Sequence, residues 1–402
     1  MAKIYTPPQQ ILERYAKVLI HAGLGDGHGI KKGQTVVLRV PEAARPLLVE
    51  IYKEVLRAGG QPLMRYTPDG LQRAYFELAS DAQLDFFPAK FAKGMVDQAD
   101  HYVAIIAETN MQELSGIDPQ KIMRSGRANK PMSEWMNEKE NKGKFHWTLG
   151  MYGTPAMAKE AGLSQKEYWN QIIKACYLNE KDPVARWHRT QKEIQAVAAK
   201  LTKLGIDHVH VSAPGTNLIV GFHPKHKWIG GTGRNIPSFE CFTSPDFRRT
   251  EGTITFTEPL YRYGNKATGI SLTFKAGKVV DVKAKTGAAW LKKMIAEKGA
   301  NMIGEYSLTD SRHSEITKFM ADTLFDENVG GRYGNTHLAL GKAYHDCYQS
   351  DPAKVTKKQW ETMGYNDSAV HTDIVATSDR TVTATLRNGK TVVIYKNGQF
   401  QV

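Results

Sequence analysis

The chain of 402 residues has only three cysteines, Cys176, Cys241 and Cys347. Their odd number and wide spacing offer no disulfide framework and no Cys-x-x-Cys metal site. No apolar run approaches the ~20 residues that cross a bilayer. The opening MAKIYTPPQQ lacks the apolar segment of a secretory signal, so no membrane association and a cytoplasmic location are expected. Several catalytic signatures are also missing. The Gly-rich GLGDGHG (23–29) does not match G-x-G-x-x-G, and it follows a helical pattern rather than a strand. GNTHLALGK (334–342) has the wrong glycine spacing for a phosphate loop, and Ala343 stands where that loop needs Ser or Thr. Neither H-E-x-x-H nor G-x-S-x-G occurs. Nucleotide chemistry, the zinc-protease helix and the serine-hydrolase elbow all lose support.

What is present describes a globular protein, with 41% apolar and 24% charged residues. The length exceeds one ordinary core, so two domains are expected. A net charge of +13 raises the question of nucleic acid. The basic residues are spread along the chain, however. The densest clusters, HPKHKW (223–228) and KVTKK (354–358), are short and match no nucleic-acid motif. The charge is read as a solvated surface, and nucleic acid is not expected as a partner.

Residues 1–205 alternate helix and strand patterns. ILERYAKVLIHAG places Ile11, Tyr15, Val18 and Leu19 on one helical stripe, and QTVVLRV (34–40) is a β-branched strand. Strand–helix alternation continues through QPLMRYT and HYVAIIAET and predicts a largely parallel sheet covered by helices. Two long helices are expected over MAKEAGLSQKEYWNQIIKACY and PVARWHRTQKEIQAVAAKLTKLG, the second connecting the domains. Residues 206–402 are strand-rich, with hairpin turns at Asn388-Gly389 and Asn397-Gly398. The expected fold is an α/β domain followed by an α+β domain rich in antiparallel strands.

Polar residues set among apolar ones gather in the second half. DSAVHTDIVAT (367–377) puts His371 and Asp373 two places apart, so a strand would point both to one face, with Val370, Thr372 and Ile374 on the other. Glu240 lies in NIPSFECFTSPD, Glu305 in NMIGEYSL, and Glu327, His337 and Tyr344 in DTLFDENVGGRYGNTHLALGKAY. Glutamates are almost never buried unless paired or bound to metal. Four carboxylates and two imidazoles would suit Zn²⁺, Mn²⁺ or Co²⁺, and two such ions would balance the four negative charges. Spacing alone does not bring the six together.

The segments TGRNIPSFECFTSPD, IGEYSL, LFDEN, THLALGKAY and VHTDIV occur in an order that resembles the aminopeptidase T / aminopeptidase S family of metallo-aminopeptidases. GTNLIVGF and EGTITFTEPL are also similar to that family. The resemblance implies a metal-dependent aminopeptidase that uses a pair of divalent ions (Zn, Co or Mn) to activate a water. It implies metal ligation by Glu240, Glu305, Glu327, His337, His371 and Asp373, a catalytic Tyr344, and a bridging or proton-shuttling Glu305. It further implies peptide substrates with a free N-terminus, a homodimer, and a first domain serving dimerisation or substrate access. Two departures stand out. VGGRYGN lengthens the path from Glu327 to His337, and Phe239 replaces an acid that the family often carries before Glu240. Cys241 is expected to face away from Glu240 as a buried thiol. His223 and His226 are read as a surface loop, and Asp310, His313 and Glu315 as decoration of a helix start. The competing readings are a two-metal phosphoesterase or nuclease, and a non-catalytic α/β binding protein.

Overall fold

The structure is a computed structural model and describes residues 5–262 and 264–402. Contacts divide the chain into two compact units. One comprises the chain up to Lys192 with Thr232–Ser238 and Met320–Leu324; the other comprises Glu193–Gly231, Phe239–Phe319 and Phe325–Val402. Among the described residues, no helix is long and apolar enough to cross a membrane.

The first unit holds the sheet that the alternating pattern predicts. Its strands are β1 (Thr35–Pro41), β2 (Gln61–Thr67), β3 (His101–Ile106) and β4 (His146–Met151), all parallel in the order β2-β1-β3-β4. Parallel neighbours need long crossovers, and helices supply them. Helix α1 (Gln9–His21) precedes β1, and α2 (Arg45–Arg57) links β1 to β2. Tyr15, Val18 and Leu19 of the predicted stripe are buried, whereas Ile11 is half-buried. The first of the two long helices expected is broken into Pro155–Glu160 and Gln165–Ala175. Ser164 and Glu167 form a capping box there, which starts a new helix in place of continuing the old one. The second helix runs unbroken over Pro183–Lys203.

The second unit is built on antiparallel strands. In chain order these are β5 (Ile206–Ala213), β6 (Thr216–Gly221), β7 (Ile229–Gly230), β8 (Glu240–Thr243), β9 (Thr250–Thr255), β10 (Leu260–Arg262), β11 (Asn265–Ala267), β12 (Ser271–Lys275), β13 (Lys278–Lys283), β14 (Ile303–Thr309), β15 (Asn335–Gly341), β16 (His371–Ala376), β17 (Thr381–Leu386), β18 (Thr391–Lys396) and β19 (Gln399–Phe400). Eight form a sheet in the order β13-β12-β9-β6-β5-β17-β18-β19, and five form a second, β16-β15-β14-β8-β7. Strands β10 and β11 pair separately. Asn397 and Gly398 both take positive φ in the β18–β19 turn, as an Asn-Gly hairpin predicts. Val209, Leu218, Ile254 and Leu272 of the larger sheet share one apolar core with Tyr306, Leu308, Leu338 and Ile374 of the smaller. Each such side chain, once buried, contributes ~1.5–3 kcal/mol. This core fixes one face of the five-stranded sheet and leaves its other face for polar residues.

Candidate metal centre

Strand register decides which side chains meet. Residues directly opposite on antiparallel strands share a face. Glu305 lies opposite Ala339, and Ala339 opposite Asp373. His371 lies opposite Gly341, His337 opposite Ser307, and Glu240 opposite Thr309. Alternation then puts Glu240, Glu305, His337, His371 and Asp373 on one face of the five-stranded sheet. Thr372 and Ile374 point the other way, as the strand reading of VHTDIV requires, and Ile374 sits in the core.

Glu305 reaches this face only through a β-bulge. Ile303 pairs with Leu340 and Glu305 with Ala339, so Gly304 is the extra residue. A regular ladder would set Glu305 opposite Leu338, on the core side. A bulge that re-aims a side chain beside a functional site is a recurrent device. A Cβ at Gly304 would come within 2.3 Å of the Lys342 carbonyl oxygen, so only glycine fits there.

The side chains converge closely. His337 Nε2 lies 3.0 Å from Glu305 Oε1 and 3.1 Å from Glu240 Oε2. His371 Nε2 lies 3.3 Å from Asp373 Oδ1 and 3.6 Å from Glu305 Oε2. Glu327 arrives from outside the sheet, just after the short helix Thr323–Asp326. The six residues form three overlapping triads: Glu240–Glu305–His337, Glu305–His371–Asp373 and Glu327–His337–Asp373. Within each, one donor atom per residue lies within 4.8 Å of the others. The structure thus brings together all six ligand candidates, including Glu327 despite its longer loop. The Tyr344 ring stands 5.0 Å from that of His371, edge to face.

Burial and like charge make this cluster electrostatically tense. Desolvation, with Glu240 and Asp373 nearby, pushes Glu305 up to about 7 against the hydrogen bond from His337. Desolvation, then Asp373 and Glu240, raises Glu327 well above the carboxylate range. Burial disfavours charge on His337, yet Glu240 and Glu305 hold its pKa well above the usual value. His371 is raised against burial by Asp373, and in turn it holds Asp373 well below the usual carboxylate value, also against burial. A cation among the carboxylates would relieve the repulsion between them and take the place of the extra protons on the imidazoles.

The donor set is suited to divalent metal. His371 Nδ1 donates to the Lys342 carbonyl oxygen at 2.8 Å, which fixes the ring so that Nε2 faces Glu305 and Asp373. Without metal, a second proton on Nε2 bridges to those carboxylates, in keeping with the raised pKa of both imidazoles, and a divalent cation can take that proton's place. His337 Nε2 has the same surroundings, and its buried Nδ1 has no hydrogen-bond partner. Oxygen and imidazole donors without a thiolate fit Zn²⁺, Mn²⁺ or Co²⁺. Cys241 stays out of the set: its Sγ lies in the core, 3.6 Å from the Ile194 carbonyl oxygen.

Two groups beside the cluster escape a reading of the sequence. Ser307 is fully buried and donates to Glu240 Oε2 at 2.7 Å. Asn328 is equally buried, and its Oδ1 accepts the Phe239 N–H at 2.7 Å. Their signal was position, since Ser307 is two residues from Glu305 and Asn328 follows Glu327. Other expectations need correction. His226 is not on the surface; it is buried, stacks on Phe222 at 4.5 Å between ring centroids, and is pushed down to about 4 by desolvation. Asp310 begins a turn rather than a helix, and its buried carboxylate takes two bonds from the Arg312 guanidinium and one from the Phe400 N–H.

The chain matches the family model described as thermophilic metalloprotease (M29) over residues 8–400. Aminopeptidase PepS of Streptococcus thermophilus is 30% identical across 97% of this chain and 98% of its own. Aminopeptidase T of Thermus thermophilus is 28% identical, with the same two coverages. A solved structure described as wild-type AmpT from Thermus thermophilus superposes with a TM-score of 0.82 at 26% identity, covering 98% of this chain and 100% of that one.

Proposed function

The chain belongs to the thermophilic metalloprotease (M29) family of peptide-bond hydrolases, and from that premise we propose that it is an aminopeptidase working with two divalent ions. The observation that carries this reading is the convergence of Glu240, Glu305, Glu327, His337, His371 and Asp373 in overlapping triads. These six would hold the pair, whether Zn, Co or Mn. Bound divalent ions supply Lewis acidity, which polarises a carbonyl and lowers the pKa of water toward ~7.

The chain's own groups complete the chemistry. The Lys342 carbonyl holds the His371 ring so that Nε2 faces Glu305 and Asp373. Glu305 stands between the two imidazoles, a position suited to a bridging ligand or to passing a proton to the leaving amine. Tyr344, packed against His371, donates its hydroxyl to the carbonyl oxygen as negative charge develops there. Only a peptide N-terminus offers a free α-amine beside its first peptide bond, and that amine selects exopeptidase cleavage. The reading extends to a cytoplasmic homodimer, with residues 206–402 as the catalytic domain and 1–205 serving dimerisation or substrate access.

A panel of aminoacyl anilides, assayed with and without chelator, tests the proposal. Hydrolysis that stops in chelator, returns with Co²⁺, Zn²⁺ or Mn²⁺, and is absent from Glu305→Gln supports it. Unchanged hydrolysis by chelator-treated protein overturns it.

A further inference from the structure

We propose that Ser307 and Asn328 are positioning residues that together fix Glu240 for cation binding; the inference rests on the metal-centre reading above. Two separate contacts converge on Glu240. The Ser307 hydroxyl donates to its Oε2 at 2.7 Å. The Asn328 amide oxygen accepts the N–H of Phe239, the residue before it, at 2.7 Å. One contact fixes the carboxylate and the other fixes the backbone that carries it.

Each brace rides on an element that also carries a ligand. Ser307 is on β14, two residues from Glu305 and on the same face. Asn328 follows Glu327 directly, and its Nδ2 lies 3.5 Å from Glu327 Oε1, the outer limit of a hydrogen bond. The Asn328 carbonyl oxygen in turn accepts the Ser314 hydroxyl, which anchors the brace to the chain beyond. Glu240 is therefore tied to the elements presenting Glu305 and Glu327. This matters because β8 is only four residues long and leaves Glu240 at its first position. A ligand at a strand end has no ladder on one side to hold it. Ser307 and Asn328 supply that hold from neighbouring segments, and all three residues are buried, so water does not substitute for either.

Partners of metal ligands typically alter cation affinity 10–100-fold when removed. The test is Co²⁺ binding to the chelator-treated full chain, followed by visible absorption in competition with a chelator of known affinity. The same metal-free samples are melted in parallel. Ser307→Ala and Asn328→Ala are each expected to weaken Co²⁺ binding by about 10–100-fold. Ser307→Thr, which keeps the hydroxyl, is expected to bind within about threefold of the unaltered chain, well short of the loss typical of a missing ligand partner. A purely structural role would lower the melting temperature of the metal-free protein and leave Co²⁺ affinity unchanged, and that result overturns the inference. Binding by Ser307→Ala as tight as by the unaltered chain does the same. If the unaltered chain takes up no Co²⁺, both this inference and the reading beneath it fail.

Discussion

Replacing Glu305 with Gln should stabilise the metal-free protein at alkaline pH while destroying its use of metal. Glu305 is pushed from 4.5 up to about 7 in the fold, first by desolvation and then by Glu240 and Asp373. A carboxyl raised on folding binds its proton more tightly in the native state. Its contribution is therefore fully present below the unfolded value and is lost as pH rises through about 7. By pH 8 the ionised group penalises the metal-free fold by at most about 3 kcal/mol, since each pKa unit corresponds to about 1.4 kcal/mol. Glutamine has nearly the same shape and carries no charge. The value of about 7 already includes the attraction to His337, so a net stabilisation of about 2–3 kcal/mol is expected at pH 8. Urea melts of both chelator-treated proteins at pH 8 and pH 5 measure it. The variant should be the more stable at pH 8, and the gap should narrow by pH 5. Saturating Co²⁺ should reverse the order, because only the unaltered site gains binding energy. A variant less stable than the unaltered chain at pH 8, or a gap equal at both pH values, refutes this account of the cluster.

Other outcomes follow from the same structure. Gly304→Val drives a Cβ within 2.3 Å of a backbone oxygen, so the bulge must open and turn Glu305 from its face; loss of Co²⁺ binding beyond the fall in urea midpoint is expected. Tyr344→Phe should lower kcat on an aminoacyl anilide by about 10²–10³ with little change in KM, the loss typical of one oxyanion donor. His226 is held down to about 4, so the unfolded chain binds the extra proton first as pH falls. Stability should decline between pH 6.5 and 4, and His226→Leu should flatten that part of the urea-midpoint profile.

How far the residues reveal the site depends on what holds each one. His371 and Asp373 were legible because alternation on one strand is a local rule. The parallel sheet of the first unit was legible for the same reason, from β-branched runs alternating with helical stripes. The face taken by Glu305 was not, since a plain alternating ladder gives the opposite answer and only the bulge at Gly304 corrects it. Ser307 and Asn328 look like ordinary small polar residues until the register sets them against Glu240 and Phe239. His226 and Asp310 misled because their partners, Phe222 and Arg312, are made by folding of the loop itself rather than by any periodic pattern. The break before Gln165 was written in the sequence as Ser164 and Glu167, a capping box inside an otherwise continuous helical stripe.

The most direct test of the central claim is anomalous diffraction from crystals of the protein grown with Mn²⁺ or Zn²⁺. Two strong peaks enclosed by Glu240, Glu305, Glu327, His337, His371 and Asp373 are the expected result. Peaks elsewhere in the chain, with these six side chains bound to nothing but one another, would contradict it.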